Sequence, residues 1–184
     1  MKNMRETSGS PLYNNVMQPT GFLIIGVSGK STLGKALAQK LGWDFFDADD
    51  FHSPENVAKM AAGIPLTDSD RMPWLAALNH QLLTCLQADR HPILACSALK
   101  KKYRAQLLEG THAIGILYLK GSYDLIWSRI SARQGHYMKA EMLQSQFEAL
   151  EEPDDAYVLD VSMPLKDMLD TICAEYFMLK RSAK

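Results

Sequence analysis

Cysteine is scarce in this chain. Only Cys85, Cys96 and Cys173 occur, far apart and each among apolar neighbours. Their spacing fits no metal site, and an odd count argues against a disulfide framework, so a reducing, cytoplasmic setting is expected. No apolar run approaches the ~20 residues of a membrane span, so no membrane association is expected. Neither sign of charge dominates: 20 Lys and Arg stand against 21 Asp and Glu, a formal net charge of −1. No global field then draws the chain to nucleic acid or to an anionic surface. An internal repeat is also missing. What is present is 184 residues, 47% of them hydrophobic, enough for one domain with a sizeable core. Residues 1–20 are polar, with Ser8-Gly9-Ser10-Pro11 and Asn14-Asn15, and lack the apolar middle of a signal peptide. They are expected to form a loose tail ahead of a single domain over 21–184.

The stretch Phe22-Leu23-Ile24-Ile25-Gly26-Val27-Ser28-Gly29-Lys30-Ser31-Thr32 organises the rest. A continuously apolar run bounded by Gly predicts a central parallel strand, covered on both faces. Lys-Ser-Thr after a Gly-rich turn predicts a phosphate-binding loop opening a helix. Backbone N–H groups of Gly26 to Thr32 would face the phosphates, Lys30 would supply a mobile cation, and the Ser31 hydroxyl would ligate Mg²⁺. The general pattern has four residues between its glycines; here only Val27 and Ser28 separate Gly26 from Gly29, so the loop is two residues short. A shorter loop offers fewer amides to a nucleotide and is expected to weaken its binding. Gly21 and Gly26 have the pattern's glycine spacing, but Val27 stands where Lys is needed, so that match is accidental.

Along the chain, strands are predicted at Phe22–Val27, Trp43–Asp47, Ile93–Cys96, Ala113–Leu119 and Val158–Val161. Between them lie helices from Ser31 to Leu41, from Pro54 to about Gly63, from about Pro73 to Ala88, from Ser122 to Gln134 and from Met142 to Leu150, with a basic helix start over Ser97 to Arg104 and Leu165 to Leu179 closing the chain. Gly42 ends the first helix, and Ser53-Pro54 caps and starts the second. The alternation gives a three-layer α/β/α domain with a mostly parallel five-stranded sheet.

In such sheets the ligand crevice lies outside the carboxyl ends of the strands. Asp47-Ala48-Asp49-Asp50-Phe51-His52 falls there, just past the second strand. Phosphoryl transfer needs a group that orients or deprotonates the attacking hydroxyl, and carboxylates near the metal. Asp47, Asp49 and Asp50 could divide these roles; a solvated, helix-capping acidic turn is the plainer alternative. No carboxylate ends the third strand, so the metal would rest on Ser31, phosphate and water. Arg71, Lys100, Arg104, Arg129 and Arg133 lie where they could converge on the crevice and hold a transferring phosphoryl group. Arg129 and Arg133, four apart on one helix face, precede Gly135-His136-Tyr137-Met138, a break suited to a closing lid over about 129–142. His52 and His136 could equally be structural.

The longer blocks resemble gluconate kinases. They are Asp47 to His52, Pro54-Glu55-Asn56, Lys59-Met60, Gly63 through Leu75, Ala95 through Arg104, Gly135 to Met138 and Leu143 through Glu151. The likeness runs from about Phe22 to the C-terminus. It implies a nucleoside-monophosphate-kinase-like P-loop fold and Mg²⁺-dependent transfer of the ATP γ-phosphoryl to the 6-hydroxyl of D-gluconate, in a cytoplasmic homodimer. Carried onto this chain, Lys30, Asp49, Arg129 and Arg133 would be catalytic, and Asp49, His52, Arg71, Lys100, Arg104 and His136 would meet the substrate. The family's loop reads Gly-Val-Ser-Gly-Ser-Gly-Lys-Ser/Thr, and one internal Ser-Gly is missing here. The family also has Pro after the Gly-His-Tyr/Phe-Met stretch, where Lys139-Ala140 stands. The short loop alone motivates a second reading, a catalytically silent member that binds the substrate or a partner.

Overall fold

A computed structural model describes residues 19–132 and 140–182. Most of the expected tail (1–18) lies outside these residues, as do Arg133, His136 and the 133–139 part of the expected lid. The strands are β1 (Gly21–Gly26), β2 (Asp44–Asp47), β3 (Pro92–Ala95), β4 (Ile114–Lys120) and β5 (Tyr157–Asp160). They form one sheet in the order β2-β3-β1-β4-β5, and every pairing is parallel. Leu23 sits in register with Leu94 on one side and Ile116 on the other. Thr20, expected in the tail, already donates its backbone N–H to the Ala113 carbonyl at 2.8 Å.

The helices are α1 (Lys30–Leu41), α2 (Pro54–Ala61), α3 (Asp68–Gln87), α4 (Lys101–Leu107), α5 (Tyr123–Ser131), α6 (Ala140–Ala149) and α7 (Leu165–Ser182). Alternation along β1 explains the layers. Phe22 and Ile24 point to a core shared with Leu33 and Leu37 of α1, Ile126 of α5 and Ile172 of α7. Leu23 and Ile25 point the other way, to Trp74, Leu75, Leu78 and Leu82 of α3 and Leu107 of α4. All four β1 side chains are fully buried, each contributing ~1.5–3 kcal/mol of apolar transfer. A strand apolar on both faces can only sit in the middle of such a sandwich.

Most element ends shift by a residue or two from those expected. The larger correction is α3, which starts at Asp68 rather than near Pro73. Pro73 reads as a helix start because its fixed φ suits the first turn. The chain instead starts the helix earlier, with a reciprocal cap. The Thr67 hydroxyl accepts the Asp70 N–H at 3.2 Å, and the Asp70 carboxylate accepts the Thr67 N–H at 2.9 Å. Two otherwise unbonded amides are satisfied, and Pro73 is carried inside the helix.

Candidate active site

The loop after β1 is built by two glycines. Gly26 has φ +132°, and a Cβ there would stand 2.6 Å from the Leu119 carbonyl oxygen, so no side chain fits. Gly29, at φ 87°, is the left-handed residue ahead of α1, which has no side-chain cap. The chain therefore reverses over Val27 and Ser28 alone, and Lys30 becomes the first helical residue. Its ammonium turns back and donates to the Gly26 carbonyl at 2.9 Å. Burial lowers the Lys30 pKa, while the nearby negative charges of Asp49 and Asp47 oppose that shift. The first-turn amides of Lys30, Ser31 and Thr32 have no acceptor within the helix and stand where its dipole favours an anion. Cys96, behind this loop at the end of β3, has its thiol pushed up to about 12 by burial and is not a nucleophile.

The acidic turn lies alongside. Asp47, the last residue of β2, has both oxygens engaged. Oδ2 accepts the Ser31 hydroxyl at 2.5 Å, and Oδ1 accepts the Asp49 N–H at 3.2 Å. This carboxylate ties the phosphate-loop helix to the acidic turn. Residues 48–51 make one 3₁₀ turn that leaves Asp49 and Asp50 exposed. The turn is pinned by the Trp74 indole N–H, which donates to the Ala48 carbonyl at 2.8 Å. His52 stacks on Trp74 with ring centroids 4.3 Å apart and an interplanar angle of 11°. Its Nδ1 is buried without a hydrogen-bond partner. Burial lowers the His52 pKa, Asp49 raises it and Arg71 lowers it further, so the ring is held towards its neutral form.

The cations divide into those that line cavities and one that is spent inside the protein. Arg71 and Lys100 line a cavity of about 270 Å³ with Thr67, Asp68, Ser97 and Tyr103. Arg129 lines a second cavity of about 330 Å³ with Ser28, Gly29, Thr32 and Leu119, and donates to the Val161 carbonyl at its edge at 2.5 Å. Arg104 is buried, and its Nη1 donates to the carbonyls of Ala98 and Leu99, both at 3.0 Å. Ala98 is a non-glycine residue at positive φ (38°), so Arg104 holds a strained turn rather than facing a cavity. Sequence reasoning placed Arg104 with the substrate cations because a basic helix start reads the same whether the side chain points out or in.

The two cavities sit on opposite sides of the phosphate loop. The 330 Å³ cavity lies over the ends of β1, β4 and β5, and the 270 Å³ cavity over the end of β3 and the start of α3. Lys30, Ser31 and Asp47 line neither cavity: Lys30 and Ser31 follow the Gly29 that lines the first, and Asp47 ends β2, which lies beyond β3 in the sheet and is joined to the loop by the Ser31 hydroxyl. Ser31 Oγ and the Asp47 carboxylate are hard oxygen donors of the kind Mg²⁺ takes, and the exposed first-turn amides suit a polyphosphate. Among the described residues no cluster of three or more His, Cys, Asp or Glu is arranged to hold a metal unaided. A Mg²⁺ here would thus share its ligands with phosphate oxygens and water. Sequence reasoning had Ser31 as the metal residue but gave Asp47 no distinct share; the hydrogen bond between them supplies it. Tyr103 and Asp68 were not singled out, and the only signal for them was that they fall inside the long family blocks.

Fold and site together define a P-loop kinase acting on a small molecule. Comparison with known proteins narrows this. A model of the shikimate kinase family matches residues 27–162. A probable gluconokinase of Mus musculus is 47% identical, covering 73% of this chain and 84% of its own. The thermoresistant gluconokinase of Escherichia coli is 42% identical, covering 80% of this chain and 88% of its own. Among solved structures, a gluconokinase from Sinorhizobium meliloti superposes with a TM-score of 0.79 at 37% identity, covering 90% of this chain and 95% of the other. The chain belongs to the gluconokinase family.

Proposed function

We propose that this chain transfers the γ-phosphoryl group of ATP to the 6-hydroxyl of D-gluconate, giving 6-phospho-D-gluconate. The observation that carries the reading is the pair of cavities at the strand ends on either side of β1, one lined by the phosphate-loop residues Ser28 and Gly29 and one carrying Arg71 and Lys100. Family membership supplies the substrate. The nucleotide would occupy the Ser28–Gly29–Thr32 cavity, with its phosphates on the amides of Gly26 to Thr32 and near Arg129. Mg²⁺ would draw charge from the transferring phosphoryl group, held by the Ser31 and Asp47 oxygens.

Gluconate is a carboxylate bearing a row of hydroxyls. Arg71 and Lys100 would meet the carboxylate. The unpartnered His52 Nδ1 would take a hydroxyl, which satisfies a buried polar atom that is otherwise costly to leave unpaired. Asp49, free on the exposed side of its turn, would orient the attacking 6-hydroxyl and accept its proton. Lys30 would exchange the Gly26 carbonyl for a phosphate oxygen. Arg133 and His136, from the sequence, would approach from the lid side.

The same family likeness leads us to propose a cytoplasmic homodimer; light scattering on the purified chain tests the dimer, and cell fractionation the location. For the reaction, mass spectrometry of a mixture of Mg-ATP, D-gluconate and enzyme should give a phosphogluconate, absent when ATP is omitted. Its absence from the complete mixture would overturn the assignment.

A further inference from the structure

Tyr103, at the start of α4, is the centre of the charge arrangement in the 270 Å³ cavity. Its ring faces three cations: Arg71 Cζ at 5.7 Å, Lys100 Nζ at 5.8 Å and Lys102 Nζ at 5.5 Å from the centroid. Its hydroxyl donates to Asp68 Oδ1 at 2.5 Å, and Lys102 binds Asp68 Oδ2. Asp68 lines the same cavity as Arg71 and Lys100. Each oxygen of the carboxylate that lines the cavity with these two cations thus already accepts one hydrogen bond, from Tyr103 or Lys102, and Asp68 forms no ion pair with Arg71 or Lys100 although its charge still acts on Lys100. Among the described residues, Arg71 and Lys100 have no carboxylate partner within ion-pair distance.

A carboxylate left with a free oxygen beside an unpaired guanidinium would pair with it, and the cavity would lose its net attraction for an anion. The phenol prevents this, and the ring face offers the two cations a resting place that does not cancel their charge. We infer that Tyr103 is a specificity-determining positioning residue: it keeps Arg71 and Lys100 available to a carboxylate, so that the cavity selects an aldonate over the neutral polyol of the same shape. The hydrogen bonds from Lys102 and Tyr103, with smaller effects of the Lys102 and Lys100 charges, hold the Asp68 carboxyl down to about 2.

The inference rests on the proposed gluconate site, and the test separates the two. Binding of D-gluconate and of D-glucitol would be measured by calorimetry, without nucleotide, for the unsubstituted chain, Tyr103→Phe, Tyr103→Leu and the double variant Tyr103→Phe with Asp68→Asn. The unsubstituted chain should bind gluconate in clear preference to glucitol. Tyr103→Phe, which frees Asp68 while keeping the ring, should weaken gluconate binding about tenfold, the size of one lost charge-assisted contact. Adding Asp68→Asn should restore it to within about twofold, because the competing charge is gone. Tyr103→Leu should weaken gluconate further and leave glucitol unchanged. Gluconate binding equal in the unsubstituted chain and Tyr103→Phe, or a double variant no better than the single, overturns the role of Tyr103 alone. No gluconate binding by the unsubstituted chain overturns the site assignment and this inference with it. Thermal unfolding of each variant identifies any that has lost its fold, and the double variant against Tyr103→Phe then decides, since both lack the same hydroxyl.

Discussion

Lys30 carries the sharpest trade between stability and chemistry in this molecule. Its half-buried ammonium is partly desolvated and donates to a single carbonyl, so the folded state bears part of the cost of desolvating a cation, which the proposed role would turn to binding phosphate. Lys30→Met should keep or raise the melting temperature and remove gluconate phosphorylation. A variant that unfolds, or one that keeps its turnover, would take the residue out of this role; calorimetry beside an activity assay reads both. Asp47 makes a separate prediction. It accepts the Ser31 hydroxyl and the Asp49 amide and is proposed to share Mg²⁺ with Ser31, so Asp47→Asn should raise the Mg²⁺ concentration for half-maximal rate by about tenfold or more. An unchanged Mg²⁺ dependence would leave Asp47 as a structural tie only.

At the scale of the element, α3 is the piece on which the proposed substrate cavity depends. Its first turn brings Asp68 and Arg71 to the cavity, and its indole at Trp74 holds the acidic turn. The reciprocal cap from Thr67 and Asp70 fixes where that turn begins. Thr67→Ala should cost ~1 kcal/mol, a fall of ~2–4 °C in melting temperature for a chain of this size, and should raise the gluconate KM more than the ATP KM. Equal effects on both would mean the cap serves general stability alone. This helix also shows where the sequence is hard to read. The buried stripe Trp74, Leu75, Leu78 and Leu82 is legible as a helix face, but the start is not. Thr-x-x-Asp is a weaker signature than Thr-x-x-Glu, and Pro73 imitates a start five residues late. The strands, by contrast, were legible almost to the residue, because an apolar run such as Phe22 to Ile25 has few other places to go. The places of Lys30 and Ser31 at the start of α1 and of Asp49 in the turn after β2 were legible because motif and turn chemistry are local. Tyr103 was not, because its contacts with Asp68 and Arg71 are made across 35 and 32 positions of chain and leave no periodic trace.

For the whole molecule, the ion pairs set the acid limit. Asp68, Asp70 and Asp170 are each lowered from 3.8 to about 2, chiefly by hydrogen bonds from Lys102, Lys59 and Lys166 respectively. A carboxyl depressed in the folded state binds protons less readily there than in the unfolded chain. Its contribution is complete above 3.8 and is lost as pH falls towards about 2. His52 adds to this from a higher window: burial lowers its pKa from 6.5, so protonation below that value favours the unfolded chain. The melting temperature should decline gently below pH 6.5 and steeply below pH 4. In His52→Gln the gentle part should shrink; a curve identical to that of the unsubstituted chain would contradict that share.

The architecture as a whole places two cavities at the strand ends on either side of β1, which the proposed function assigns to donor and acceptor, with a phosphate loop shortened to Gly26-Val27-Ser28-Gly29-Lys30. The measurement that tests this most directly is steady-state ADP release with Mg-ATP, with and without D-gluconate, beside a version with Ser-Gly inserted between Gly29 and Lys30. The account predicts gluconate-dependent release from the chain as it stands, with a lower ATP KM in the lengthened version. Release that is indifferent to gluconate in both proteins would contradict it.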